Sequence, residues 1–367
     1  MTVDFEDLYE SHRKCQAGVI WKDSVAWFSL HSLEQCSKLC RELSDGSYRP
    51  RPPVAFTIYK PKRREILAVA YRDRVYQRAI NDRLLYPIMT RSFVPENGAC
   101  QHGRGTDYCL ALFRRNLRRY FINHGADGFI LQMDVRRYYP SLRHDAVKAM
   151  FRRKVPGEVY EAVAEILDGQ YPGDVGYNPG SQMVQIAGIS FLDGVDHFVK
   201  EKLDIKHYVR VMDDMVLIHH DRDYLEQCRR EITRELAALG LEPHPDKTQI
   251  RTLRQGITWL GFDWRLTETG KVLQQPKSQT VREFRYVLRK LLRLYANGKR
   301  SLRCADESAR SRLAHMSKGT SWRLIRRLEK WYAEERRNAI RERKENELLQ
   351  AAHAEPAGAR GNGQSAR

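Results

Sequence analysis

The chain has 367 residues, is 42% hydrophobic, and carries 64 Lys and Arg against 46 Asp and Glu, a formal net charge of +18. The length supports one large core or two modest ones. The cation surplus calls for a polyanionic partner, nucleic acid first and an anionic membrane surface second. No apolar run approaches the roughly 18 residues of a spanning helix, and the opening MTVDFEDLYESHRK lacks the apolar segment of a signal peptide. Seven scattered cysteines without zinc-ligand spacing point to reduced thiols in the cytoplasm.

Beyond an N-terminal segment, 1–24, residues 25–44 have helical periodicity, with Cys36 and Cys40 on one face. Gly and Pro then break the pattern. VAFTIY and ILAVAY read as short strands joined by a basic connection, KPKRRE. RDRVYQRAINDRLLYPIM predicts a helix ending near Pro87, and Thr106 is placed to cap the helix TDYCLALFRRNLRRYF. GFILQMDVRRYYPSL predicts a buried strand running into a turn at Pro140. HDAVKAMFRRK and EVYEAVAEILDG are helical, and MVQIAGISFLDGVDHFVKEKL reads as one long helix. HYVRVMDDMVLIHH reads as two strands joined at the Met-Asp-Asp turn. An amphipathic helix follows and stops at Gly240. KTQIRTL and GITWLGFDWRL are strand-like. From Ser278 to Lys344 there are 20 Lys or Arg and 7 Asp or Glu, with Arg282, Arg285, Arg289 and Arg293 along one helical face. The tail 351–367, rich in Ala, Gly and polar residues, reads as disordered.

Chemistry concentrates at two acidic positions. Asp134 follows the apolar run Phe129–Leu131, and Asp213-Asp214 sits between two apolar strands. Carboxylates gathered between apolar strands repel one another unless a cation neutralises them. Hard oxygen ligands suit Mg²⁺, and two such ions can activate a hydroxyl and stabilise a leaving pyrophosphate. The plainer reading of one Asp pair is a solvated turn. His219 and His220, adjacent on a strand, are expected to face opposite ways, so no shared metal is expected there.

Val-Met-Asp-Asp at 211–214 resembles the Y-x-D-D box of reverse transcriptases, and MDVRRYYPS at 133–141 resembles that family's first palm motif. The likeness runs from about Tyr59 to Trp264 and is closest to prokaryotic-type enzymes of diversity-generating retroelements, retrons or phage defence. It implies two Mg²⁺ ions, with Mn²⁺ as a substitute, held by Asp134 and Asp213 with Asp214 in support. It implies a sugar gate at Tyr139, where core packing of the Tyr138–Tyr139 pair is the competing reading. Gly180-Ser-Gln-Met-Val-Gln185 resembles the template and nucleotide motif, with Val184 in place of the usual Ser. Lys62 and Arg72 resemble the basic fingers residues that clamp a triphosphate. Gly103-Arg-Gly-Thr106 resembles a short glycine motif before a fingers helix. Lys247 matches a lysine that protonates pyrophosphate, and Trp259-Leu-Gly261-Phe262 resembles the primer-holding hairpin. The basic region then implies a thumb whose Arg285, Arg289 and Arg293 grip backbone phosphates. Val211 stands where the family usually has an aromatic residue.

The resemblance implies an α+β right-hand polymerase fold. Fingers would span 25–128, an antiparallel-sheet palm 129–270 (with 143–178 partly fingers) and a helical thumb 275–345. It implies a cytoplasmic RNA-directed DNA polymerase that extends a DNA or RNA primer on an RNA template with dNTPs, in a retroelement or antiviral defence system. A small basic accessory protein is an expected partner and a membrane is not. The competing class is a catalytically idle RNA-binding scaffold on the same fold.

Overall fold

The computed structural model describes residues 3–59, 63–178 and 180–354. Lys62 and residues 355–367 lie outside the described residues. The chain forms two compact units, Met1–Thr252 and Leu253–Arg367.

The first unit opens with α1 (Phe5–Gln16), an element the sequence reading passed over. Its signal is a capping box: Asp4 accepts from the Asp7 amide at 2.9 Å, and Asp7 accepts from Asp4. The periodic stretch 25–44 is two helices, α2 (Asp23–Leu30) and α3 (Ser32–Ser44), hinged at His31. Strands β1 (Val54–Ile58) and β2 (Arg64–Ala68) pair antiparallel. Next come α4 (Tyr71–Ile80), a π-helical turn at Asn81–Leu85, and α5 (Tyr86–Met89). Pro87 therefore lies within a continuous helical run, two residues after the π-turn, where the i→i+5 bond from the Tyr86 amide to the Asn81 carbonyl marks the departure from regular α-helix. α6 (Thr106–His124) is capped by Gly105 and not by the Thr106 side chain, because Thr106 is already the first helical residue.

The centre of this unit is a four-stranded antiparallel sheet of order β4-β5-β3-β6. Its strands are β3 (Phe129–Asp134), β4 (His207–Val211), β5 (Asp214–His219) and β6 (Gln249–Thr252). Both faces of β3 and β5 are covered, so their interiors are apolar on both sides, with Gln132 as the one polar residue among them. Between β3 and β4 lie α7 (Tyr138–Ser141), α8 (His144–Lys154), α9 (Gly157–Gln170), α10 (Gln182–Phe191) and α11 (Asp193–His197). The long helix expected over 183–203 breaks at Leu192 and ends in a π-helical turn, Phe198–Lys202. At the break, Asp193 takes bonds from Ser92 Oγ at 2.6 Å and Lys154 Nζ at 2.7 Å. α12 (Arg222–Ala238) buries Leu225, Cys228, Ile232 and Leu236 along one stripe. The chain leaves it through Gly240 at φ +74°.

In the second unit, GITWLGFDWRL folds back on itself. β7 (Ile257–Trp259) and β8 (Phe262–Leu266) form a hairpin, and β9 (Val272–Pro276) adds a third strand. The turn places Leu260 at φ +47° and Gly261 at φ +86°, which a glycine supplies without strain. α13 (Ser278–Ala296), α14 (Leu302–Met316) and α15 (Trp322–Ala354) pack around Phe284, Leu288, Ala309, Met316 and Leu328. α15 reaches four residues into the stretch read as disordered.

Candidate active site

Strand pairing brings the acidic positions together. Asp134, last in β3, lies directly opposite Asp214, first in β5. Cross-strand partners have Cα atoms about 4.5–5.5 Å apart. Asp213 occupies the two-residue turn between β4 and β5, and its carbonyl accepts from the Val135 amide at 3.3 Å. All three carboxylates are partly buried. Burial, reinforced by Asp134, raises the Asp213 carboxyl above its ordinary range. Burial also pushes Asp214 up to about 7, with Asp134 and Asp213 adding to the push and a bond from Gln132 opposing it. Gln132 Nε2 donates to Asp214 Oδ1 at 3.4 Å.

Lys247 Nζ lies 2.8 Å from both Asp134 oxygens. It is brought there by the turn at 243–248, where the His244 amide donates to the Asp134 carbonyl at 2.6 Å. Among the described residues, no three His, Cys, Asp or Glu side chains are already arranged to hold a metal ion. The donor set nevertheless has the chemistry for one: oxygen ligands only, and two carboxyls driven toward protonation for want of a counter-charge.

The turn that carries Asp213 is braced from behind. Arg210 and Asp196 are both fully buried, and they pair through Nε to Oδ1 at 2.6 Å and through Nη2 to Oδ2. Arg210 Nη1 donates to the Met212 carbonyl at 2.7 Å, and Tyr208 Oη donates to Asp196 at 2.7 Å. Met212 sits at φ +57°, a conformation that costs a non-glycine residue free energy and needs such support. The sequence reading missed both residues. The signal was available in Tyr-Val-Arg-Val, an arginine at an interior position of an apolar strand, which needs a buried partner.

Tyr139 meets the same turn, with its hydroxyl 3.9 Å from Met212 Sδ. Its ring lies against Gly188 of α10, where an added Cβ would stand 2.8 Å from the Tyr139 oxygen. Tyr138 is buried and donates to the Gly188 carbonyl at 2.5 Å. Gln185 is one turn earlier on α10, and it lines a cleft together with Gly180. Arg72 is engaged elsewhere. Its guanidinium pairs with Glu42 and lies over the Tyr48 ring at 5.3 Å. The two histidines do not face apart: β5 ends at His219, and the His219 and His220 rings approach to 4.2 Å.

In the second unit Trp259 is buried and Gly261 forms the hairpin turn. Arg285 and Arg289 lie over the Trp331 ring at 5.7 and 5.4 Å, and Arg289 pairs with Glu335 at 3.0 Å. Arg293 joins them on one groove along α13, with Arg282, Tyr286 and Lys290.

A family model described as reverse transcriptase (RNA-dependent DNA polymerase) matches residues 58–264, more than half of the chain. The chain belongs to the reverse transcriptase family. Its mixed helical and antiparallel architecture is the right-hand polymerase fold. The chain is 30% identical over 95 residues to the Gag-Pro-Pol polyprotein of Mason-Pfizer monkey virus, which covers 25% of this chain and 5% of the polyprotein. It is also similar to apo telomerase of Candida tropicalis, at 15% identity and TM-score 0.47 over 80% of this chain and 63% of that one. Telomerase of Candida albicans in complex with a fragment of telomeric RNA gives 13% identity and TM-score 0.48 over 78% and 58%. The chain thus spans a twentieth of the polyprotein and under two thirds of each telomerase chain.

Proposed function

We propose that the protein is an RNA-directed DNA polymerase that adds dNTPs to a primer 3′-hydroxyl on an RNA template. The observation that carries this is the register of Asp134 against Asp214 with Asp213 in the adjoining turn. Three crowded carboxylates serve no packing purpose and leave Asp214 short of counter-charge. Asp134 and Asp213 would hold two Mg²⁺ ions, or Mn²⁺ in their place, with Asp214 in support. When bound, such ions supply the charge stabilisation for hydroxyl attack and pyrophosphate departure.

The chain's own residues have separable tasks in this reading. Lys247, released from Asp134, would donate a proton to pyrophosphate. Tyr139, held between Gly188 and Met212, would exclude a nucleotide 2′-hydroxyl. Gln185 and Gly180 would contact the nucleotide and template. Arg72, freed from Glu42, and Lys62 would meet the triphosphate. Trp259 and Gly261 would shape the primer-holding hairpin, and Arg285, Arg289 and Arg293 would grip backbone phosphates. A cytoplasmic setting, a retroelement or defence system and a small basic accessory protein complete the proposal.

The competing reading, an idle RNA-binding scaffold, draws on one observation: Lys247 already neutralises Asp134. Primer extension on an RNA template with dNTPs and Mg²⁺ or Mn²⁺ separates the two. The polymerase reading expects extension that Asp213→Asn abolishes. RNA binding without extension under either metal favours the scaffold.

A further inference from the structure

Between β9 and the start of α15, both in the second unit, opens a cleft of about 540 Å³ walled by Lys271, Gln275, Thr320, Trp322, Arg323 and Arg327. No Asp or Glu lines it among the described residues. One wall is pinned to the sheet: the Thr320 amide donates to the Gln274 carbonyl at 2.7 Å, and the Thr320 hydroxyl accepts from the Gln274 amide at 3.0 Å. Gly319 permits this approach, since a Cβ there would stand 2.6 Å from the same carbonyl. Trp322 is 61% exposed, with the Arg323 and Arg326 guanidiniums each 5.5 Å from its ring. Arg323, Arg326 and Arg327 make no ion pair among the described residues. With Lys330 they form the exposed side of α15, whose other side puts Ile325 and Leu328 into the core.

A merely solvated helix face has no use for these features together. Like charges gathered without a counter-charge repel one another until an anion arrives. A lone surface tryptophan needs no explanation, but this indole offers a flat apolar face set among phosphate-binding groups. The ligand must then combine a flat ring with anionic oxygens beside it. An unpaired nucleotide has both. A paired nucleotide keeps its ring faces inside the stack, so a duplex would meet only the arginines. An acidic peptide would satisfy the arginines and leave the indole without a partner. The groove along α13 shares none of the cleft's residues. Arg285 and Arg289 lie over Trp331, nine residues after Trp322 on α15. That is about 13.5 Å along the axis and about two and a half turns around it, so the two surfaces lie on opposite sides of the helix.

We infer that this cleft is a second nucleic-acid site, which holds an unpaired stretch of a strand with one base stacked on Trp322 and its phosphates on Arg323 and Arg327. It differs from the α13 surface in requiring a base, and it does not depend on the chain being a polymerase.

The test uses the full chain and labelled single strands of about 12 nucleotides, RNA and DNA of one sequence, beside an abasic strand and a duplex of the same length. Binding is read by fluorescence anisotropy. Trp322→Ala should weaken both natural single strands about tenfold, the worth of one stacked base, while Trp322→Phe stays within about twofold of wild type because it keeps a ring. The abasic strand and the duplex should bind Trp322→Ala and wild type alike. Arg323→Gln combined with Arg327→Gln should lower the salt slope on single strands by about 1.4. Irradiating a bound strand that carries 5-iodouracil should attach it to the tryptic peptide 319–323, which contains Trp322. The site is overturned if Trp322→Ala leaves single-strand affinity unchanged, since the indole would then serve a protein partner. It is also overturned if the variant weakens the abasic strand or the duplex equally, or if the crosslink spares that peptide. No step uses a dNTP, so a chain that binds in this way and never extends a primer loses the polymerase reading and keeps this site.

Discussion

Lys247 places its ammonium nitrogen 2.8 Å from each carboxylate oxygen of Asp134. The same cation that steadies the free protein must therefore yield when a divalent ion binds. Lys247→Met should lower the Mg²⁺ concentration needed for half-maximal extension. It should also cut the rate at saturating Mg²⁺ by about 100-fold, the scale of a lost general acid. Asp134 is largely buried beside two further carboxyls, so losing the cation should also lower the melting temperature in the absence of metal. Titrating extension with Mg²⁺ in both proteins checks the pair of effects. A rate unchanged at saturating metal would remove Lys247 from the chemistry.

Asp214 is the carboxyl most starved of counter-charge, raised to about 7 by burial and by its two acidic neighbours. Asp214→Asn keeps the shape and removes one of three repelling charges. At pH 8 the variant should be more stable by about 1–2 kcal/mol and should extend primers at least about 100-fold more slowly. Thermal melts without metal, set beside extension assays, test both halves.

Arg210 and Asp196 form a buried pair, and removing one member strands the other. Asp196→Ala should destabilise the protein by about 3–5 kcal/mol. Arg210→Lys keeps the charge but loses the fork that reaches both Asp196 and the Met212 carbonyl. Its remaining folded fraction should extend primers poorly, because the Asp213 turn loses its brace. Urea melts and extension at reduced temperature distinguish this from simple unfolding.

Tyr139 has no room to retreat past Gly188, where a Cβ would come within 2.8 Å of its oxygen. Gly188→Ala should push the ring toward the nucleotide and lower incorporation of both dNTPs and rNTPs. Tyr139→Ala should raise rNTP use selectively. Single-nucleotide incorporation kinetics measure both, and an unchanged dNTP/rNTP ratio in Tyr139→Ala defeats the gate assignment.

His207 has its imidazole driven down to about 4 by burial and by nearby His124, Lys200, Arg119 and Lys206. The unfolded chain takes up a proton near pH 6.5, whereas the folded one resists until about 4. The unfolded state therefore binds more protons in this window, and stability falls as pH drops from about 6.5 toward 4. The full gap corresponds to about 3 kcal/mol, and partial solvent access reduces it to roughly 2. His207→Gln should flatten this part of the stability profile in urea melts run from pH 7 to 4.5.

The features most readable in the sequence were those with a short-range signature. The Met-Asp-Asp turn between apolar strands and the stop at Gly240 follow from local chemistry. So does the stripe of α12, from its spacing. What stayed hidden depends on distant partners. Asp196 lay inside a run that reads as unbroken helix, and only its pairing with Arg210 shows its purpose. Lys14 joins the cleft at Gln185 because α1 packs on α4, which no window of sequence contains. Arg72 looked free to meet phosphate until Glu42, thirty positions earlier in the chain, was found holding it. The hinge at His31 and the break at Leu192 were missed for a related reason: apolar periodicity passes through both without interruption.

The ladder joining β3 to β5 has one more effect. Because backbone pairing fixes Asp134 opposite Asp214, the gap between those carboxylates is measured by the sheet, as by a ruler, and owes nothing to the helices threaded between the two strands. α8 and α9 can lengthen, shrink or be exchanged without altering it. A lineage could remodel those outer helices while its paired acids kept their distance, so drift in the periphery and constancy at the centre are compatible within one chain.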